Sequence, residues 1–211
     1  GGQNPTPYSQ QTESYNGTAF SIVNNMPATR YGFGSAGLQG AGLAFGKTLG
    51  TAANDSTVSW DGTNWTEVNE LNTGRGDQEG VGTQTNALSI GGAPNKTETE
   101  KWNGTSWTEV NELNSGGYGR ASFGSYTSAI AAALNTPSTP GRTVVEDWNG
   151  TSWTETTEIN TNRYYAEASS NSADSTSGII FGGRTPPNSA TAVTEFWNGT
   201  TWTEVNDLST G

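Results

Sequence analysis

One motif constrains this chain more than any other, because it returns almost unchanged: Trp60-Asp61-Gly62-Thr63-Asn64-Trp65, Trp102-Asn103-Gly104-Thr105-Ser106-Trp107, Trp148-Asn149-Gly150-Thr151-Ser152-Trp153 and Trp197-Asn198-Gly199-Thr200-Thr201-Trp202. An eroded copy, Tyr15-Asn16-Gly17-Thr18-Ala19-Phe20, precedes them. Asn-Gly or Asp-Gly between strand-forming residues is a strong β-hairpin signal, since the turn positions must accept positive φ. A two-residue Asn103-Gly104 turn sets Trp102 opposite Thr105, and the two-residue side-chain period puts Trp107 on the same face as Trp102. Each copy then carries an aromatic pair on one sheet face, and that pair needs a neighbouring copy to cover it.

The leading aromatics recur at intervals of 45, 42, 46 and 49 residues. Ten residues beyond the second aromatic stand Arg30, Arg75, Gly117 and Arg163, so Gly117 breaks an arginine pattern. A small-residue segment follows, such as Gly80-Val81-Gly82-Thr83, and then a short apolar run such as Leu88-Ser89-Ile90. These read as two inner strands, A and B, with the Trp hairpin as outer strands C and D. Short runs bounded by glycine and filled by aromatic or β-branched residues favour strands over helices. Four strands per period of this length are the sequence signature of a β-propeller. The expected fold is all-β, with a half-blade at 1–26 and blades at 27–71, 72–113, 114–159 and 160–208. Glu67, Glu70, Glu98, Glu100, Glu109, Glu112, Glu146, Glu155, Glu158 and Glu204 gather on C and D, where charge guards an exposed edge. The B–C loops (3–11, 48–56, 93–97, 135–142 and 184–191) vary in length and hold most of the prolines, which is how a repeat scaffold carries binding.

A glycine pair after an apolar strand, a Trp hairpin and an arginine ten residues later resemble the kelch repeat. Asn24-Asn25-Met26-Pro27-Ala28-Thr29-Arg30 is its closest match. The wording Trp-Asn-Gly-Thr-Ser-Trp-Thr-Glu-Val is also similar to repeats in structural proteins of marine bacteriophages. That resemblance implies a virion or extracellular setting, with other virion proteins, further copies of the chain, or a host receptor or glycan as partners. The chain departs from the kelch pattern at Lys47, at Ala133-Leu134 and at Gly117.

Composition decides much of the chemistry. With no histidine and no cysteine, the ligands on which copper and zinc sites rely are missing, as are Ser-His-Asp and Cys-His nucleophilic systems. No cofactor is expected. The net charge of −11 disfavours nucleic acid and anionic membrane, and no apolar run approaches transmembrane length. Paired carboxylates need only Asp and Glu, but the acids recur in register with the repeat and no copy shows a singular acidic cluster. Eight tryptophans at repeat spacing (Trp60, Trp65, Trp102, Trp107, Trp148, Trp153, Trp197 and Trp202) read as core between blades.

Binding residues should break the repeat. The candidates are Tyr8, Tyr31, Tyr118, Tyr126, Arg142, Tyr164, Tyr165 and Arg184, of the types enriched among interface anchors. The expectation is a non-enzymatic virion appendage module, with a bacterial lectin or adhesin and a carboxylate-dependent glycoside hydrolase as alternatives. Gly1-Gly2 aligns with Gly91-Gly92, and Leu208-Ser209-Thr210-Gly211 aligns with Leu71-Asn72-Thr73-Gly74. The sequence thus supplies five C–D hairpins but four A–B pairs. The missing pair is expected from a longer chain or from a neighbouring subunit.

Overall fold

The computed structural model describes residues 9–47, 55–169 and 174–210. Gly1, Gly2, Tyr8 and Gly211 lie outside the described residues. Among those described the chain is all-β, without a helix. An N-terminal hairpin, β1 (Thr12–Tyr15) and β2 (Phe20–Val23), is followed by four antiparallel four-stranded sheets. The first is β3 (Gly34–Leu38), β4 (Ala41–Phe45), β5 (Thr57–Trp60) and β6 (Trp65–Val68). The second is β7 (Glu79–Thr83), β8 (Asn86–Gly92), β9 (Lys96–Trp102) and β10 (Trp107–Glu109). The third is β11 (Ala121–Ser125), β12 (Ser128–Leu134), β13 (Arg142–Trp148) and β14 (Trp153–Glu155). In the fourth, β15 (Glu167–Ala168) and β16 (Gly178–Phe181) join β19 (Thr194–Trp197) and β20 (Trp202–Val205). A small hairpin, β17 (Arg184–Thr185) and β18 (Ser189–Ala190), is inserted between β16 and β19. The sheets stack in chain order through their first strands, β3 on β7, β7 on β11 and β11 on β15. The N-terminal hairpin and the four sheets are separate hydrogen-bonded units among the described residues.

The Trp hairpin is not built on the expected two-residue turn. Trp102 lies directly opposite Trp107, so 103–106 form a four-residue loop. Asn103 explains it: its side-chain Oδ1 accepts the backbone N–H of Thr105 and of Ser106, each at 2.9 Å. Of the two turn residues only Gly104 takes positive φ, 91°, whereas the two-residue type I′ turn needs both. Asp61, Asn149 and Asn198 accept the same pair of N–H groups in their copies. The paired indoles sit with ring centroids 5.3 Å apart in the second and third sheets.

Each aromatic pair packs on the preceding sheet. Trp102 and Trp107 join Leu43, Phe45 and Leu71; Trp148 and Trp153 join Leu88, Ile90 and Leu113; Trp197 and Trp202 join Ile130, Ala132 and Ile159. The indole N–H of the second tryptophan in each hairpin is satisfied across the same junction. Trp65, Trp107 and Trp153 donate to the hydroxyls of Thr12, Thr57 and Thr99 on the preceding sheet. Val145 stands where that threonine would be in the third sheet, and Trp202 donates to the Thr157 carbonyl instead. The N-terminal hairpin follows the same scheme. Gln39 Nε2 donates to the Tyr15 carbonyl just as Gln84 Nε2 donates to the Trp60 carbonyl.

Two expectations about charge are corrected. Glu100 and Glu146 are not edge guards but are fully buried, as is Glu195. Each accepts from the linker that leads into its own sheet. Glu100 takes the N–H of Asn72 and Thr73 and the Nδ2 of Asn72, and Glu146 and Glu195 repeat this with Asn114-Ser115 and Asn160-Thr161. Arg75 and Arg163 complete the clasp at 2.6 and 2.7 Å from Glu100 and Glu195. Arg120 fills the same role beside Glu146, at 3.9 Å, so the break at Gly117 is repaired three residues later. The backbone geometry at the missing glycine pair is likewise kept, with Ala133 at φ 56° where Gly91 has 58°. Glu67, Glu70, Glu109, Glu112, Glu155, Glu158 and Glu204 are exposed, and Glu98 is half-buried.

Trp107→Ala should lower stability by about 3–5 kcal/mol, equivalent to about 10 °C in Tm for a domain of this size. Trp65→Ala, at a half-buried indole packed against the small cluster of Met26, Ala44 and Val58, should cost visibly less; thermal unfolding of the two variants tests the order. Arg75→Met should cost about 3–5 kcal/mol by leaving Glu100 buried without its cation. The double variant Arg75→Met/Glu100→Met should not recover it, because the N–H groups of Asn72 and Thr73 then lose their acceptor; denaturant unfolding decides.

Candidate functional site

In an antiparallel meander the start of the first strand, the end of the second and the start of the third share one end of the sheet. The linkers between sheets and the B–C loops therefore converge on one side of the molecule. Tyr31, Tyr118, Tyr164 and Tyr165 lie on the linkers, and Arg142 and Arg184 at the starts of β13 and β17, so the fold gathers six of the eight candidates. The contacts are specific. Arg142 bridges to Arg163, and Tyr164 bridges to Arg184. The Tyr164 hydroxyl and Arg184 Nη1 both reach Asn188 Oδ1, at 3.1 and 3.0 Å. Tyr165 stands between Tyr118 and Tyr164, with ring centroids 6.1 and 5.4 Å away. Lys47 lies 4.2 Å over the Tyr31 ring and 3.6 Å from Asp77.

Tyr126 does not join them. It occupies the β11–β12 turn at the opposite end, where Lys101 Nζ sits 4.3 Å over its ring and its carbonyl accepts from Trp148 Nε1. Its place in the repeat is that of Gln39 and Gln84, whose carbonyls accept from Trp60 and Trp102. Its departure from the repeat is explained by packing between sheets.

Just before each first strand, one repeat position requires the left-handed backbone region: Gly32 (φ 55°), Asp77 (54°), Gly119 (61°) and Tyr165 (51°). Glycine accepts this without strain, whereas a bulky side chain does so at a cost. The glycines make room as well as a turn. Asp77 leans over Gly32 and Tyr165 over Gly119, where an added Cβ would lie 2.1 Å from the carboxylate and 2.7 Å from the ring. The backbone N–H of Asp77 and of Tyr165 donate to the carbonyls of Gly32 and Gly119 at 2.6 and 2.8 Å.

Below this rim lies a cavity of about 340 Å³ lined by Asp77, Gln78, Glu79, Tyr165 and Glu167. A second, of about 280 Å³, is walled by all four first strands and shares Glu79 and Glu167. Glu79 and Glu167 hold one repeat position, paired to Ile90 and Phe181, and the other two sheets have Gly34 and Ala121 there. No single copy carries a singular acidic cluster, but the fold brings two carboxyl groups from different copies, the second and the fourth, into the same space. Comparing the first strands position by position would have found them, because small residues are the rule on these strands. Burial, and then the charge of Glu167, push the Glu79 carboxyl up to about 8, against the pull of Arg120. Burial lowers Arg120 to about 10. Tyr165 is raised to about 12, by burial first and then by Asp77. Gln78 Oε1 and Ser122 Oγ on the walls make no hydrogen bond among the described residues.

The site offers acceptors, a carboxylic acid able to donate, and an exposed tyrosine ring. No cluster of three metal-ligating side chains occurs among the described residues. No protein-family model matches the chain, and no curated protein matches it in sequence.

Glu79 keeps its proton in the folded state up to about pH 8 but loses it near its ordinary value of 4.5 when unfolded. Between those values the folded state binds more protons, so stability should fall as pH rises through this window. One pKa unit corresponds to about 1.4 kcal/mol, or roughly 3–5 °C in Tm for a domain of this length. Glu79→Gln should flatten the Tm profile between pH 5 and 8; an unaltered slope would show that Glu79 is solvated and ordinary.

Proposed function

We propose that the chain is a β-propeller of kelch-like blades serving as a non-enzymatic recognition module of a virion appendage, with a hydroxyl-rich host glycan as ligand. The propeller reading is supported by sheets that stack in chain order through their first strands around a shared cavity. The viral setting rests on the Trp-Asn-Gly-Thr-Ser-Trp wording. The observation that carries the binding reading is the rim, where two non-glycine residues hold a left-handed backbone beside the carboxylates of Glu79 and Glu167. Strain kept in a repeat that elsewhere uses glycine points to a gain made by the side chain. A sugar suits the chemistry: its hydroxyls match carboxylate and amide acceptors, its C–H face matches the Tyr165 ring, and a few convergent polar groups fix its orientation.

The carboxyl pair also supports a second reading, glycoside hydrolysis, in which a protonated Glu79 is the acid and Glu167 the second carboxyl group. One pair of measurements separates the two. On a glycan array the chain should bind, and Tyr165→Ala or Glu167→Gln should weaken the binding about tenfold, the loss of one good polar or stacking contact. Incubation with the bound glycan should release no sugar. Release that Glu79→Gln abolishes while binding persists would establish the hydrolase, and no binding to any glycan would overturn the proposal.

A further inference from the structure

The junctions between sheets obey one rule, and the two ends of the array each present half of it. In the first three sheets a forward apolar face covers the aromatic pair of the next sheet. In the fourth, the same face carries Phe196, Val205 and Leu208, which are 38%, 40% and 43% exposed. In the N-terminal hairpin the aromatic-pair positions are Tyr15 and Phe20, 45% and 68% exposed, with ring centroids 4.8 Å apart. Among the described residues, one face lacks an aromatic pair and one aromatic pair lacks a face.

Two further observations say what belongs between them. β1 stands where β5, β9, β13 and β19 stand, and each of those pairs on its inner side with a second strand, β4, β8, β12 or β16. Among the described residues β1 pairs with β2 alone. Glu13 holds the place of Glu100, Glu146 and Glu195, each of which clasps an incoming linker and lies beside its arginine, yet Glu13 is exposed. A free strand edge beside an apolar face is a hazard unless it is covered.

We propose that the inner edge of β1 is a docking site for a two-stranded antiparallel β-hairpin of the inner type. Its second strand adds to β1, and an arginine leading into its first strand pairs with Glu13. With the hairpin seated, Tyr15 and Phe20 close onto Val205 and Leu208. The binding mode is strand addition, in which main-chain hydrogen bonds supply affinity and side-chain register supplies specificity. A second copy of this chain is not the occupant, because β3–β4, β7–β8, β11–β12 and β15–β16 are each already bonded to their own outer strands. Docking at β1 stands on the repeat register alone; the closure of Tyr15 and Phe20 onto the fourth sheet rests on the propeller reading.

The probe is a peptide of residues 72–92, which carries Arg75 and the inner pair β7–β8. Mixed with the full chain it should slow hydrogen exchange at the amides of β1 and raise Tm by about 5 °C, as expected when a ligand binds the folded state alone. Glu13→Gln should weaken it about tenfold through the lost charge-assisted pair, and a scrambled peptide should do nothing. Because a free hairpin is marginally stable, the same residues are also fused after Gly211. Neither protection nor a Tm shift in either format would overturn the docking site. Closure has its own readout: the chain has no cysteine, so a Phe20→Cys/Leu208→Cys variant should form its disulfide when the peptide is present. Protection of β1 without that disulfide would retain the docking site and overturn the closure. Concentration-dependent dimers abolished by Phe20→Asp would overturn the choice of occupant in favour of a second copy.

Discussion

No sheet in this molecule can bury its own tryptophans, and everything else follows from that. Sheets of seven-residue strands and shorter, with small residues on the first strand and charge on the last, have too little apolar surface to stand alone. The indole pair, presented on one face by the four-residue Asn-Gly loop, is covered when the preceding sheet lends its face. Stability is then a property of junctions more than of sheets, as in other repeat architectures. The indole N–H makes each junction directional, since Trp107 and Trp153 reach a threonine on the sheet behind and not the one ahead.

The buried Glu–Arg clasp solves a problem that this packing creates. A linker passing from the outer edge of one sheet to the inner edge of the next runs through the junction and would strand its N–H groups there. Glu100 satisfies two of them, and Arg75 neutralises the carboxylate that does so. A buried ion pair by itself is weak support for stability, because desolvation offsets attraction. Its use here is positional: the carboxylate sets where the linker crosses, and so sets the spacing of the sheets.

Much of this was legible in the sequence, and what was not has a common cause. Hairpins, strand order and the tryptophan core follow from local patterns of turn residue and two-residue alternation. The loop length in the hairpin did not, because Asn103 serves as a backbone acceptor, and a side-chain cap is invisible to a rule about positive φ. Glu100 and Glu146 were misread as edge charges because their partners, Asn72 and Asn114, lie about thirty positions away in sequence. Arg120 was missed because a clasp needs a guanidinium in space and tolerates a shift of three residues along the chain. Glu79 and Glu167 escaped because they stand at the edge of small-residue segments, and each lies in a different copy.

The rim sharpens the distinction between repeat-breaking residues that serve packing and those free to serve a ligand. Tyr126 breaks the repeat yet is accounted for by Lys101 and Trp148, as a plug between sheets. Tyr164 is buried, with its hydroxyl spent on Asn188 and Pro187. Tyr165 is different: it is 47% exposed, its backbone is held left-handed where the first and third repeats use glycine, and its ring covers Gly119. Glycine at 165 would relieve the backbone and remove one wall of the cavity in a single change. That the chain carries tyrosine there, in a cavity shared with two carboxyl groups that the other sheets lack, is what singles this rim out as the candidate site.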